Sequence, residues 1–148
     1  MDRESLLLTT GAILILMYAL QVINQQLQSI QKQLSQVKLS PLKSGTLEAT
    51  GGEDVVIEYA SNEPFTITGW IDLKNMQEGD TVVISQSFIL ADETEYSLFA
   101  ERTYSGVQSQ PLLHITPRQA VKKAKVTLKQ TSGTLKKFPF EFYKGGTV

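Results

Sequence analysis

The sequence predicts two unlike parts: a long N-terminal α-helix, a membrane span continuing into a coiled coil, and an all-β antiparallel sandwich of jelly-roll type. Three observations predict this. Ser5 to Gln31 holds no charged residue. Across that stretch and beyond it, apolar residues recur at heptad spacing. From Thr46 onward the apolar period drops from 3.5 to 2, in about eight short runs separated by turn residues. The implied division is residues 1–39 as anchor and oligomerisation helix, 40–45 as linker and 46–148 as sandwich.

The helix is expected to begin near Ser5, a suitable N-cap, and to end near Leu39, because Pro41 disfavours helical geometry in the residue before it. Leu6 to Ile23 is apolar apart from Thr9, Thr10, Gly11 and Gln21. Those residues span about 27 Å as a helix, near the roughly 30 Å of a bilayer core. A membrane span is the leading reading, and a helix buried at the centre of a protein assembly is the alternative. A cleaved secretory signal fits poorly, since Met1-Asp2-Arg3-Glu4-Ser5 is nearly neutral and no Ala-x-Ala follows. A pilin-type leader is equally unmarked, so the segment is expected to be retained. Arg3 before the span and Lys32, Lys38 and Lys43 after it bias orientation only weakly.

The heptad seam is Ile13, Leu16, Leu20, Ile23, Leu27, Ile30, Leu34 and Val37, at spacings of 3, 4, 3, 4, 3, 4 and 3. Ile13, Leu20, Leu27 and Leu34 take position a; Leu16, Ile23, Ile30 and Val37 take position d. Leucine at a with β-branched residues at d favours three or four strands over two. The e positions Asn24 and Gln31 and the g positions Gln26 and Gln33 carry no charge, so no ion-pair code selects a foreign partner. Self-association as a trimer, tetramer or larger assembly follows.

Eight strands are predicted at Thr46–Thr50, Asp54–Ala60, Pro64–Leu73, Thr81–Leu90, Tyr96–Tyr104, Leu112–Thr116, Lys123–Gln130 and Phe138–Tyr143. Phe65, Ile67, Ile71 and Leu73 share one face; so do Val82, Ile84, Phe88 and Leu90, and Phe138, Phe140 and Phe142. Eight short strands in about 100 residues point to a sandwich, and the jelly roll is its usual eight-strand form. Pro139 places the last strand at an edge.

Charge is divided along the chain. Gly45 to Glu101 holds twelve acids against Lys74, a net of −11; Arg102 to Val148 holds nine bases against Glu141, a net of +8. Either acidic and basic strands become neighbours within the fold, or opposite faces meet between subunits.

Chemistry is sparse. With no cysteine, disulfides and thiolate sites are excluded. His114, the single histidine, reads as a strand residue, and no Gly-x-Ser-x-Gly elbow accompanies it. Asp92-Glu93-Thr94-Glu95 reads as a solvated acidic turn without the glycine spacing of a calcium loop. Lys123, Lys125 and Lys129 share the ordinary exposed face of a strand, so nucleic acid is not an expected partner. No metal, cofactor or catalytic group is expected. Trp70 falls opposite the Phe65, Ile67 and Ile71 face, which makes it the candidate for a ligand or subunit contact.

Pro64-Phe65, Gly69-Trp70-Ile71-Asp72-Leu73, Glu78-Gly79-Asp80-Thr81-Val82-Val83-Ile84, Thr103-Tyr104-Ser105-Gly106, Lys125-Val126-Thr127-Leu128 and Phe138-Pro139-Phe140-Glu141-Phe142 resemble small uncharacterised all-β proteins of archaeal and viral origin. The resemblance covers most of residues 46–144. It implies a fold and carries no functional residues. The plan of an apolar helix bearing a sandwich head also resembles membrane-associated or spike-forming virion proteins. The expected function is a non-enzymatic structural subunit of a virion, held by residues 6–23 in membrane lipid or an apolar assembly core, beside other structural proteins. A cell-surface or pilin-like filament subunit is the next reading. A membrane-tethered glycan- or peptide-binding module is the alternative of a different class.

Overall fold

Residues 2–34, 38–120 and 122–146 are described in a computed structural model of the chain. The chain divides into two units, Met1–Val37 and Lys38–Val148. The first holds helix α1, Arg3–Leu34. Its cap is Asp2 rather than Ser5: Asp2 Oδ1 accepts the Glu4 amide at 2.8 Å, satisfying one of the orphan N–H groups of the first turn. Expectation and structure also part at the other end. Leu39 already lies in a strand, and residues 35–37, with Val37 of the seam, fall outside the described residues.

The second unit holds eight strands: β1 Lys38–Glu48, β2 Asp54–Ala60, β3 Phe65–Asp72, β4 Thr81–Ile89, β5 Ser97–Ser105, β6 Leu112–Ala120, β7 Lys123–Ser132 and β8 Lys137–Gly146. One sheet has the order β1-β8-β3-β6 and the other β2-β7-β4-β5. Every pairing is antiparallel, and β1 with β8, β2 with β7, β3 with β6 and β4 with β5 nest inside one another. The chain is therefore one long hairpin, closed between β4 and β5 and rolled so that successive pairs fall in alternate sheets. That winding is a jelly roll.

Three sequence expectations change here. Residues 40–45 are not a linker. They lie within β1, where Leu42 and Leu47 pack against the core and Pro41 sits beside a register shift in an edge strand. Edge strands tolerate proline because one side of the ladder is free, and the bulge absorbs the misfit. Pro139 is not in an edge strand, since β8 lies between β1 and β3. The described β3–β8 ladder runs only to Ile71 opposite Phe140, so Pro139, opposite Thr46 of β1, sits one residue past the point where β3 borders the strand. Leu90, expected on the core face, lies just past β4 and is 64% exposed.

The core sits between the sheets. Phe138, Phe142, Ile71, Leu73, Leu128, Val56 and Val82 are its largest fully buried side chains. At one end, Asp80 and Gln130 are buried but fully used. Asp80 Oδ2 accepts the Gln77 amide at 2.7 Å and faces Lys136 Nζ at 3.7 Å. Gln130 accepts the Lys136 amide at 2.9 Å and donates to the carbonyls of Ser132 and Thr134 at 3.1 and 2.9 Å. A buried polar group without such partners costs on the order of 1–3 kcal/mol.

The nested topology also explains the split in charge. Pairing first strand with last and second with seventh brings the acidic half against the basic half. Of five ion pairs among the described residues, four join the two halves: Lys123–Glu58, Lys125–Glu53, Lys136–Asp80 and Lys137–Glu48. These four pairs let acidic and basic strands compensate in part within the sandwich. Glu58 is the best-supported carboxylate: Lys123 contacts it, and the Tyr96 hydroxyl donates to it at 2.6 Å. Lys123 first, then Tyr96, hold its pKa below the ordinary 4.5, while burial and the Glu58 bond push the Tyr96 phenol up. A carboxylate with a lowered folded pKa adds stability above its unfolded value and loses it as pH falls through the folded one. Because the pair is partly exposed, the contribution is about 0.5–1 kcal/mol after screening. Glu58→Gln should thus lower the urea midpoint at pH 7 and leave it matched to wild type near pH 3. An equal gap at both values would contradict the linkage.

Candidate functional site

Two surfaces stand out, one in each unit. On α1 the apolar side chains have no cover. The seam residues Ile13, Leu16, Leu20, Ile23, Leu27 and Ile30 are 50–63% exposed, and Leu7, Leu8, Leu14, Ile15 and Tyr18 on other faces are 61–76% exposed. Leu34 closes the described helix, but its side chain lies outside the described residues, as does Val37. Burying a large apolar side chain is worth ~1.5–3 kcal/mol, so leaving this many in water is costly. Among the described residues it is the one helix long and apolar enough to cross a membrane.

The polar atoms of the apolar stretch suit such a medium. Thr9 and Thr10 each donate their hydroxyl to a carbonyl one turn back, Ser5 and Leu6 respectively, at 2.8 Å. A hydroxyl spent on its own helix presents little polarity to lipid. From Asn24 onward the surface changes. Amides and Ser29 take over, and only Leu27 and Ile30 continue the apolar stripe through the described part.

On the head, the outer face of the β1-β8-β3-β6 sheet carries the Trp70 surface. Parity dictates which residues look outward: Ile71 and Phe140 turn into the core, so Trp70, Asp72 and Glu141 turn away from it. Register then sets Glu141, Trp70 and His114 in a single row across β8, β3 and β6. The Trp70 and His114 rings stack with centroids 4.4 Å apart and an interplanar angle of 36°. Thr68 locks the imidazole. Its hydroxyl donates to the Ile115 carbonyl at 3.1 Å, which leaves its oxygen to accept Nε2–H of His114, also at 3.1 Å. Trp70 stays 39% exposed and borders an open depression of about 360 Å³ with Asp72, Leu112, Pro139, Phe140 and Glu141.

Both carboxylates there have partners. The Tyr143 hydroxyl donates to Glu141 at 2.5 Å, which lifts the Tyr143 pKa above the usual phenol range. Asp72 accepts the Lys74 amide at 2.9 Å, and Lys74 Nζ lies 3.4 Å from its other oxygen. Sequence reasoning singled out Trp70 by parity alone; nothing local tied it to Asp72 or Glu141 as a surface, or to His114, 44 positions away. Among the described residues no group of three or more His, Asp or Glu converges on a metal-sized site, the Asp92–Glu95 turn included.

No known protein family matches the chain, and no curated protein does. Solved structures do show likenesses. The crystal structure of the infectious bursal disease virus VP2 subviral particle matches at 9% identity with a TM-score of 0.43, over 73% of this chain and 31% of that one. The structure of the infectious bursal disease virus Gx strain matches at 9% identity and a TM-score of 0.38, over 75% and 32%. The chain thus spans about a third of the length of those proteins. A likeness this distant carries no argument about activity, and the jelly roll rests on the strand order above.

Proposed function

We propose that this chain is a non-enzymatic structural subunit, anchored through α1 in a membrane or an apolar assembly core and oligomeric through the heptad seam, presenting the jelly roll as its head. The carrying observation is the exposure of α1. Residues 6–23 carry large apolar side chains on every side that stand exposed among the described residues, which suits a surrounding apolar medium. The second half of the helix is apolar on one stripe only, which suits a polar stalk whose copies share that stripe. At about 1.5 Å per residue the 32-residue helix is about 48 Å long. A bilayer core takes roughly 30 Å of that, leaving enough helix for such a stalk.

The virion is the favoured setting. Jelly rolls recur as capsid subunits. The test is fractionation followed by mass measurement. The full chain should float with membranes, resist extraction by high salt or alkaline carbonate, and run in mild detergent with a protein mass of three or four copies. A monomer that stays soluble without detergent would end this reading. Labelling of purified native particles then separates a virion component from a cell-surface or filament subunit.

A further inference from the structure

We propose that the Trp70 face binds a neutral pyranose ring of a glycan, stacked on the indole, with neighbouring hydroxyls donating to Glu141 and Asp72. Three features of the surface converge on that ligand. The platform is flat and fixed in advance: His114 backs Trp70 at 4.4 Å and is itself pinned by Thr68, so little side-chain freedom remains to be lost on binding. The floor is apolar, with Leu112 and Pro139 beside the indole, and bounds about 360 Å³ of open volume. That suits a ring with an apolar C–H face, at the small end of ligand sites. The polar groups at its rim are carboxylates, which accept hydrogen bonds and donate none, so the ligand has to bring the donors.

A cationic side chain also brings donors, but the surface favours it less. Lys74 already sits 3.4 Å from Asp72 and would be displaced or repelled. A guanidinium or ammonium would also leave most of the apolar floor uncovered. Acidic sugars meet the opposite problem, since Glu141 and Asp72 repel a uronate. The expected ligand is therefore an uncharged hexose or N-acetylhexosamine, presented on a larger glycan.

Trp70 is the only tryptophan in the chain, so its fluorescence reports on this surface alone. The full-length protein in mild detergent is titrated with methyl glucoside, methyl galactoside, methyl mannoside, N-acetylglucosamine, glucuronate and N-acetylarginine amide. At least one neutral pyranoside should shift the emission with saturation on the order of 1–10 mM, as expected of one shallow ring site. Glucuronate and the arginine amide should bind at least about tenfold more weakly. By saturation-transfer NMR, Trp70→Ala should abolish the contact, Trp70→Phe should retain part of it, and Glu141→Ala should weaken it about tenfold; Leu98→Ala, in β5 of the other sheet, should leave it unchanged. Silence toward every neutral pyranoside overturns the proposal, and a response to the arginine amide alone overturns it in favour of a cationic peptide. The inference stands apart from the anchoring reading. The oligomeric mass of the same sample reports on that one, so either can fail without the other.

Discussion

Gly69→Ala should unfold the head at temperatures where the wild type is fully native. The reason is a close approach in the middle of a sheet. A Cβ at residue 69 would lie 2.4 Å from the Glu141 carbonyl oxygen and 2.5 Å from Cδ1 of Phe142. The first is backbone in β8, held by β1 on one side and β3 on the other, so it cannot step aside. The second belongs to a ring that is 1% exposed and covers the glycine from the core side, directly across the ladder. Glycine under a cross-strand aromatic is a known way to strengthen a strand that lacks a side chain. Overpacking of this kind costs typically 1–3 kcal/mol, and clashes with fixed backbone lie at the upper end, so the expected loss is about 3 kcal/mol. Gly79→Ala separates this from ordinary glycine strain. Its φ is +88°, but an added Cβ meets nothing within 4 Å, so it should cost only about 1 kcal/mol. Thermal unfolding followed by the Trp70 signal checks both. Equal losses at the two positions would mean that the β3–β8 approach is not the cause.

That contrast marks how far the sequence could be read. Gly69 was visible as a gap in the Phe65, Ile67, Ile71 alternation, yet its necessity depends on Phe142, 73 positions away. Alternation is local and survives in a single sequence. Strands β2 to β8 and the inward phenylalanines of β8 were legible for that reason. Pairing is not local, and with it went the row of Glu141, Trp70 and His114. Alternation showed that Trp70 faces away from the core; register supplied what surrounds it. Strand β1 was hidden for another reason. Ser40, Pro41, Ser44 and Gly45 look like a linker by composition, and only the partner strand β8 reveals that Gly45 lies beneath the Phe140 ring, where an added Cβ would sit 3.6 Å from Cζ. The helix was the reverse case. Its period and polarity are written in consecutive residues, so its existence was legible, while its end was set too late because β1 was missed.

The seam should fail in its polar half. Leu27→Asn with Ile30→Asn should convert the detergent-solubilised oligomer to monomer while leaving the protein in the membrane fraction, because residues 6–23 are untouched. The asymmetry follows from the two media. Inside a bilayer, lipid tails are as apolar as the seam, so Ile13 and Leu16 gain little by leaving lipid for a neighbouring helix. In water, Leu27 and Ile30 are each 50–51% exposed in the single chain, and covering them is favourable. At ~2 kcal/mol for each residue, the double substitution removes about 4 kcal/mol per chain, roughly a thousandfold in association. Ile13→Ala with Leu16→Ala should cost far less, since packing is loosened but no apolar surface is returned to water. Salt should hardly matter, because Asn24, Gln26, Gln31 and Gln33 offer no charges at the flanking positions to screen. An oligomer that survives the asparagine pair, or one that melts away at high ionic strength, would place the subunit contacts on the head instead of the stalk.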